Sequence, residues 1–252
     1  MLASLYKVQA VGSNTQITPR LRVEVLEDVT CMSEVWQLRS ARFRKDGASD
    51  RDQWDARCRH VLIRAQESGA LAGYFRMSLI DGPNALAQSY AAQRYDLGSL
   101  ANSTKPMIEV GRFCINPESR RNPDVLRLVW AEITRTVDQH GVGLLFGCAS
   151  FSGTDPAAHA AAFAQLRAYR PPSRWRIGKG AGHTVPLEVA AGRAVPSATA
   201  LPPLLRSYLA MGGWVSDHLV VDDDLGTLHV FAGLEVRGVP DARAQALRRL
   251  VG

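Results

Sequence analysis

The sequence of 252 residues lacks several things, and each lack excludes a class of protein. No apolar run approaches the roughly 20 residues that a bilayer-spanning helix needs. The opening stretch, MLASLYKVQAVGSNTQ, has neither a continuous apolar core nor a small-residue cleavage pattern, so no secretory leader is expected. Cys31, Cys58, Cys114 and Cys148 show no C-x-x-C spacing. A disulfide framework and a zinc site are therefore not expected, and a reducing cytoplasm is the expected compartment. Lysine occurs only at Lys7, Lys45, Lys105 and Lys179, so 30 − 4 = 26 of the basic residues are arginine. Zinc-finger, helix-turn-helix and RNP patterns are absent, and nucleic acid is not an expected partner. There is no internal repeat and no low-complexity tract.

What is present is a foldable chain. Hydrophobic residues make up 46%, enough for a sizeable core, and charged residues 21%, which sets it apart from a disordered tail or a coiled coil. The formal charge of +6 favours an acidic partner: a phosphate, an anionic membrane surface or an acidic protein.

Residues 1–19 are polar and irregular and read as a loose arm. Leu21, Val23 and Val25 alternate with charged residues, as in a half-buried strand. Val35, Leu38 and Arg42 recur at helical spacing after cap signals at Asp28 and Thr30. After the charged segment KDGASDRDQWD, two strands are expected at 60–63 and 72–79, and a weak helix over 89–100. Met107–Ile115 reads as a strand. Asn122-Pro123-Asp124 opens a helix with a cap, a proline at the first position and an acid in the first turn, and Gly141 closes it. A short strand at 144–148 and an alanine-rich helix from Asp155 to about Tyr169 follow. Residues 170–200, rich in proline, glycine and arginine, read as a long excursion. A helix over 201–211, paired strands at 215–221 and 228–236, and a terminal helix over 241–250 complete the chain. The β-α-β-α order argues for a layered α/β fold.

Several segments carry a resemblance. They are Arg42-Phe43-Arg44 followed by Asp52-x-x-Asp55-x-x-Cys58-x-His60; Gly73-Tyr74-Phe75-Arg76; Glu109-Val110-Gly111-Arg112-Phe113-Cys114-Ile115-x-Pro117; Phe146-Gly147-Cys148-Ala149-Ser150-Phe151-x-Gly153-Thr154-Asp155-Pro156; and Leu201-Pro202-Pro203-Leu204-Leu205-x-x-Tyr208 with Gly213. Over residues 20–236 the chain resembles the bacterial ornithine-acyl carrier protein N-acyltransferases. These are GNAT acyltransferases related to the autoinducer synthases. The chain departs from that pattern at Arg59, where the family commonly has an acid, at Arg76-Met77-Ser78, and at the Asn122-Pro123-Asp124 helix entry. The resemblance implies a GNAT-like mixed central β-sheet flanked by helices, built as a single domain over 20–252 with a C-terminal extension.

The resemblance also implies a chemistry: transfer of a 3-hydroxylated acyl chain from acyl carrier protein to the α-amine of ornithine. An amine attacks a thioester, so a base must take a proton and a donor must hold the oxyanion. No metal or other cofactor is needed beyond the acyl-pantetheine thioester as co-substrate. Glu109 is the candidate base, since burial on a strand would raise its pKa; the competing reading is an ion pair with Arg112. In a regular strand these two side chains would face opposite sides, and Gly111 between them suggests a bulge that brings them to one face. Arg76 and Arg112 suit a substrate carboxylate, and Arg112 stands beside Glu109 as a catalytic candidate. Asp52 and Asp55 suit a substrate cation or, alternatively, a solvated capped loop, and Arg42 is a further substrate-binding candidate. His60 reads more readily as a structural hydrogen-bond partner than as a base.

The donor-binding candidates are Ile115, Arg120, Arg121, Asn122, Gly147 and Ser150, with Arg120-Arg121-Asn122 at a helix start suited to a phosphate. Cys148 has no adjacent base and reads as a buried residue rather than a nucleophile. Arg167, Arg170, Arg174, Arg176 and Lys179 form a basic stretch suited to acyl carrier protein or to peripheral contact with an anionic inner membrane. Glutamine as acceptor, autoinducer synthesis and a non-catalytic carrier-protein or lipid-binding module are the competing functions.

Overall fold

The structure is a computed structural model that describes residues 21–27, 32–44 and 47–251; the expected arm at 1–19 and the Asp28 and Thr30 cap signals lie outside them. In chain order the elements are β1 (Leu21–Leu26), α1 (Ser33–Phe43), β2 (Arg59–Ala65), β3 (Leu71–Ile80), α2 (Gly82–Ala87), β4 (Tyr95–Asp96), β5 (Met107–Ile115), α3 (Pro123–His140), β6 (Leu144–Ser152), α4 (Ala160–Leu166), β7 (Gly178–Lys179), β8 (Thr184–Pro186), α5 (Leu187–Ala191), α6 (Pro203–Ala210), β9 (Trp214–Val215), β10 (His218–Asp222), β11 (Thr227–Glu235) and α7 (Asp241–Arg248). This is a mixed α/β fold whose strands pair mostly antiparallel. The described residues divide into two compact units, with the boundaries falling inside β3 and β5. The first takes in residues up to Ser78, Val110–Gly141 and those from Asp241 on; the second takes in Leu79–Glu109 and Val142–Pro240.

In the first unit the strand order is β1-β2-β3-β5. β1 pairs antiparallel with β2, placing Val23 opposite Ile63 and Val25 opposite Val61. The apolar alternation noted at Leu21 and Val23 is the buried face of β1. Helix α3 follows its sequence signals closely. The Asn122 side chain accepts from Asp124 N–H, Pro123 occupies the first turn, and Gly141 closes the helix at φ +61°. Its buried stripe includes Val125, Leu128, Val129, Ile133 and Val137.

In the second unit the order runs β5-β6-β11-β10-β8, with β9 also on β11. β5 runs parallel to β6 through Met107–Leu144, Ile108–Leu145 and Glu109–Phe146. β11 sorts its side chains by the period of two. Leu228, Val230 and Ala232 pack with α4, α5 and α6, while Phe231 packs with Tyr95, Phe146 and Trp214. Gly233 is glycine because the Trp214 ring fills the place of a side chain: a Cβ would lie 2.4 Å from its Cζ2.

Three expectations are corrected. Residues 89–100 are not one helix: the helix lies earlier, at α2, and a 3-10 turn at Ala91–Gln93 and the two residues of β4 follow. The N–H groups of Tyr90 and Ala91 are taken by the Glu109 carboxylate, which competes with helical pairing. The excursion over 170–200 contains β7, β8 and α5, and β8 is an edge strand on β10. The strand expected at 215–221 is broken at Ser216, whose Oγ donates to the His218 carbonyl and accepts from Phe231 N–H.

Gly213 follows α6 in a crowded turn. Its N–H donates to the Tyr208 carbonyl at 2.9 Å, and a Cβ there would lie 2.7 Å from that same oxygen. Gly213→Ala is expected to lower unfolding stability by about 1–3 kcal/mol, through backbone that has to shift. Urea denaturation checks this, and an unchanged midpoint would show that the turn relaxes freely.

Candidate functional site

The first unit holds a dense set of charges, assembled from α1, the segment 50–55, β3 and β5. Arg39 is fully buried four residues after Val35, on the same face of α1. Its Nε donates to Asp50 Oδ2 at 2.9 Å and its Nη1 to Asp55 Oδ1 at 2.6 Å. A further Arg39 nitrogen reaches the Asp50 carbonyl. The guanidinium also lies 4.9 Å from the Trp36 ring centroid.

Arg76 on β3 forks onto Asp52, with Nη1 to Oδ1 at 2.6 Å and Nη2 to Oδ2 at 2.9 Å, and it also donates to Asp55. Arg112 on β5 donates from Nε to Asp50 Oδ2 at 2.9 Å and from Nη2 to Asp52 Oδ2 at 3.2 Å. The segment folds on itself as well: Asp52 N–H donates to Asp55 and Trp54 N–H to Asp52. Arg39, Arg76 and Arg112 thus meet three aspartates by hydrogen bonds, and Arg44 Nε lies 3.7 Å from Asp50 Oδ1. Burial alone would raise the Asp55 carboxyl. The Arg39 hydrogen bond and the charges of Arg76 and Arg39 outweigh it and hold the group below the ordinary carboxylate value.

His60, at the start of β2, lies fully buried beside this network. Its Nε2 is 2.9 Å from the Asp55 carbonyl, which can only accept, so Nε2 carries the proton. Nδ1 then accepts from the Tyr74 hydroxyl at 2.7 Å. The ring is a neutral strut under Asp55. Burial is the largest influence on it and pushes its pKa below the ordinary 6.5, the Asp55 carbonyl and charge oppose this, and the charges of Arg39 and Arg76 add to it.

Arg112 also has φ +54°, the one positive φ at a residue other than glycine among the described residues. An arginine held there stores roughly 1–3 kcal/mol of strain. The irregularity expected near Gly111 is therefore present one residue later, at Arg112, and the two aspartates grip that residue's side chain.

Glu109 belongs to the second unit. It is 8% exposed, and Oε1 accepts from Ala91 N–H at 2.7 Å while Oε2 accepts from Tyr90 N–H at 3.0 Å. Its register with Phe146 puts it on the sheet face of Phe146 and Phe231, whose rings stack at 5.5 Å.

The remaining sequence candidates are placed as follows. Arg42 is exposed in the last turn of α1. Ile115 ends β5 half-buried, Arg120 and Arg121 are exposed, and the Asn122 side chain caps α3. These four and the Arg–Asp network lie in the first unit; Glu109, Gly147 and Ser150 lie in the second. Cys148, on β6, is not in a disulfide and is partly buried against the aromatic cluster. Burial pushes the Cys114 thiol up to about 12, far from a reactive thiolate. In the basic stretch, Arg167 and Arg170 pair with Glu188, and Arg174 pairs with Glu235.

Sequence reasoning missed Arg39 and Asp50. The signal for Arg39 was a charge at the helical phase of Val35; for Asp50 nothing local set it apart from its charged neighbours. Among the described residues, no group of three or more His, Cys, Asp or Glu is placed to hold a metal, and no helix is long and apolar enough to cross a membrane.

Comparison with known proteins decides the class. The Acetyltransferase (GNAT) domain family matches residues 33–131, the stretch that contains the network and Glu109. The L-ornithine N(alpha)-acyltransferase of Brucella abortus (strain 2308) is 28% identical over 201 residues, covering 75% of this chain and 71% of that protein. The L-ornithine N(alpha)-acyltransferase of Rhizobium meliloti (strain 1021) is 29% identical over 198 residues, covering 74% and 67%. The chain is an acyltransferase enzyme, and its residues 33–131 match the GNAT domain. A solved N-acyl amino acid synthase from uncultured soil microbes shares the acyltransferase's fold with a TM-score of 0.50 at 11% identity, over 93% of this chain and 98% of that one.

The His60 geometry carries a pH prediction for the acyltransferase. Its folded-state pKa lies below the unfolded value, so its contribution to stability is complete above about pH 6.5 and is lost as pH falls from there through the lower folded-state value. The melting temperature is expected to drop between pH 7.5 and pH 5, and the drop should be shallower in His60→Gln. Parallel pH profiles would instead assign that drop to other groups.

Proposed function

We propose that this acyltransferase moves an acyl chain from acyl carrier protein to the α-amine of ornithine, forming a lyso-ornithine lipid. The observation that carries the reading is the match to L-ornithine N(alpha)-acyltransferases over about three quarters of the chain. The proposal includes no resident cofactor, the acyl-pantetheine thioester being the co-substrate. A cytoplasmic setting, where carrier-protein thioesters are made, belongs to the same proposal.

In the reaction the neutral amine attacks the thioester carbonyl. A C–N bond forms, the C–S bond breaks, and one ammonium proton leaves for a base and ends on the departing thiolate. We assign the base to Glu109. Two backbone N–H groups fix its carboxylate, and a carboxylate oxygen is the kind of acceptor that an ammonium proton needs. Asp52, with 13% of its side chain exposed, and Arg112, with 9%, are the more open members of the Arg–Asp network. They are the members assigned to the acceptor's ammonium and carboxylate. Asp50, Asp55, Arg39 and Arg76 are more deeply buried and serve as the frame that aims them.

The direct test is mass spectrometry of purified protein with acyl carrier protein thioester and a panel of amino acids. Acylated ornithine is expected to dominate. Acylated glutamine as the main product would change the acceptor, and a soluble lactone made from S-adenosylmethionine would favour autoinducer synthesis.

Glu109→Gln is expected to lower turnover about 10²–10⁴-fold, the usual worth of a positioned base. The amide would also turn an NH2 toward one of the two backbone donors, so a modest fall in melting temperature should accompany it. Near-normal turnover would remove the base assignment. Cys148→Ala should keep substantial activity, and an acyl adduct on Cys148 seen by intact mass would replace direct transfer with a covalent route.

A further inference from the structure

The second unit carries an outward surface that the proposed chemistry does not use. Between Asp155 and Asp217 the sequence has seven basic residues and a single acid, Glu188. That acid is held by both Arg167 and Arg170, so it offers little negative charge of its own. Arg193 and Arg206 are exposed in the same stretch.

Two of the three exposed large hydrophobic side chains among the described residues lie in the same stretch, Val189 and Val195, 69% and 81% exposed; the third is Leu79. Helix α5 buries Leu187, Ala190 and Ala191 and so turns Val189 outward. Gly192, at φ +51°, reverses the chain, and Val195 and Pro196 follow exposed. The loop does not hang free. Ala194 N–H donates to the Ala191 carbonyl at 3.1 Å, and Ser197 N–H to the Ala161 carbonyl of α4 at 3.1 Å. Ala157, Ala158, Ala198 and Ala200 are exposed as well. Apolar tips on a pinned loop, among arginines and almost without acids, match the chemistry of a shallow bilayer contact.

We propose that this surface, centred on Val189, Arg193 and Val195, docks the enzyme on an anionic lipid bilayer. The two valines enter the headgroup boundary and the arginines meet lipid phosphates. The proposal deepens the proposed function, because its acylated product is an amphiphile that partitions into lipid, but its test does not depend on turnover.

The test is flotation of the full chain with vesicles of phosphatidylcholine alone and of phosphatidylcholine with phosphatidylglycerol. The protein is expected to float with the anionic vesicles and to stay behind with the neutral ones. Val189→Asp with Val195→Asp, and separately Arg193→Glu with Arg206→Glu, should each reduce the bound fraction about tenfold or more. Melting temperature and turnover on soluble substrates should not change. Failure of the unaltered protein to bind anionic vesicles, or equal binding by both variants, would overturn the proposal. So would variants that float normally but show a raised KM for carrier protein, which would make the surface a protein-docking site. If no acceptor were acylated but vesicle binding behaved as expected, the reaction assignment would fail and the surface would stand.

Discussion

The structure around the matched domain depends on one constraint: three arginines and three aspartates buried together must satisfy one another. A charge taken out of water costs several kcal/mol even after relaxation, so an unpaired member would not be tolerated there. Arg39, Arg76 and Arg112 come from a helix and two strands, and Asp50, Asp52 and Asp55 from one six-residue segment. That segment has almost no apolar content with which to hold itself. Its conformation is set by the arginines it faces and by the His60 strut beneath Asp55. The same pairing restrains Arg112 at its left-handed φ, so the irregularity in β5 and the fold of the charged loop are one problem with one solution.

The sequence was most legible where local chemistry is self-sufficient. Asn122, Pro123 and Gly141 bounded α3 to the residue because a cap, a proline and a left-handed glycine each act within one turn. β5 was read with its observed bounds, Met107–Ile115. The short elements β8 and α5 were not legible. They have no periodicity long enough to read and owe their form to β10 and the helical layer beside them. Residues 89–100 misled for a different reason, since their weak helical pattern lost two N–H groups to Glu109, a partner 18 and 19 residues away. The candidate site was half visible. Arg76, Arg112, Asp52 and Asp55 stood out as residue types, but single-sequence reasoning treated them as groups awaiting a substrate. Which charges meet is a property of the tertiary structure.

Glu109 illustrates a related economy. Two successive backbone N–H groups hold its carboxylate, one on each oxygen. A base oriented by backbone stays in place while its proton comes and goes. By contrast, the arginines of the 167–174 stretch spend their charge on Glu188 and Glu235, which leaves less of it for partners than the sequence suggests.

The central claim is that the deeply buried part of the Arg–Asp network, Arg39 and Arg76 with Asp50 and Asp55, is an internally paired frame rather than a set of charges kept open for substrate. A double-mutant cycle on Arg39 and Asp55, read by urea unfolding, tests it most directly. Arg39→Ala and Asp55→Ala should each cost about 3 kcal/mol or more, and the double variant should cost clearly less than their sum, by about 2 kcal/mol or more. Small, additive losses in stability accompanied by a raised KM for the amino acid would contradict the account and make the two residues primarily substrate ligands.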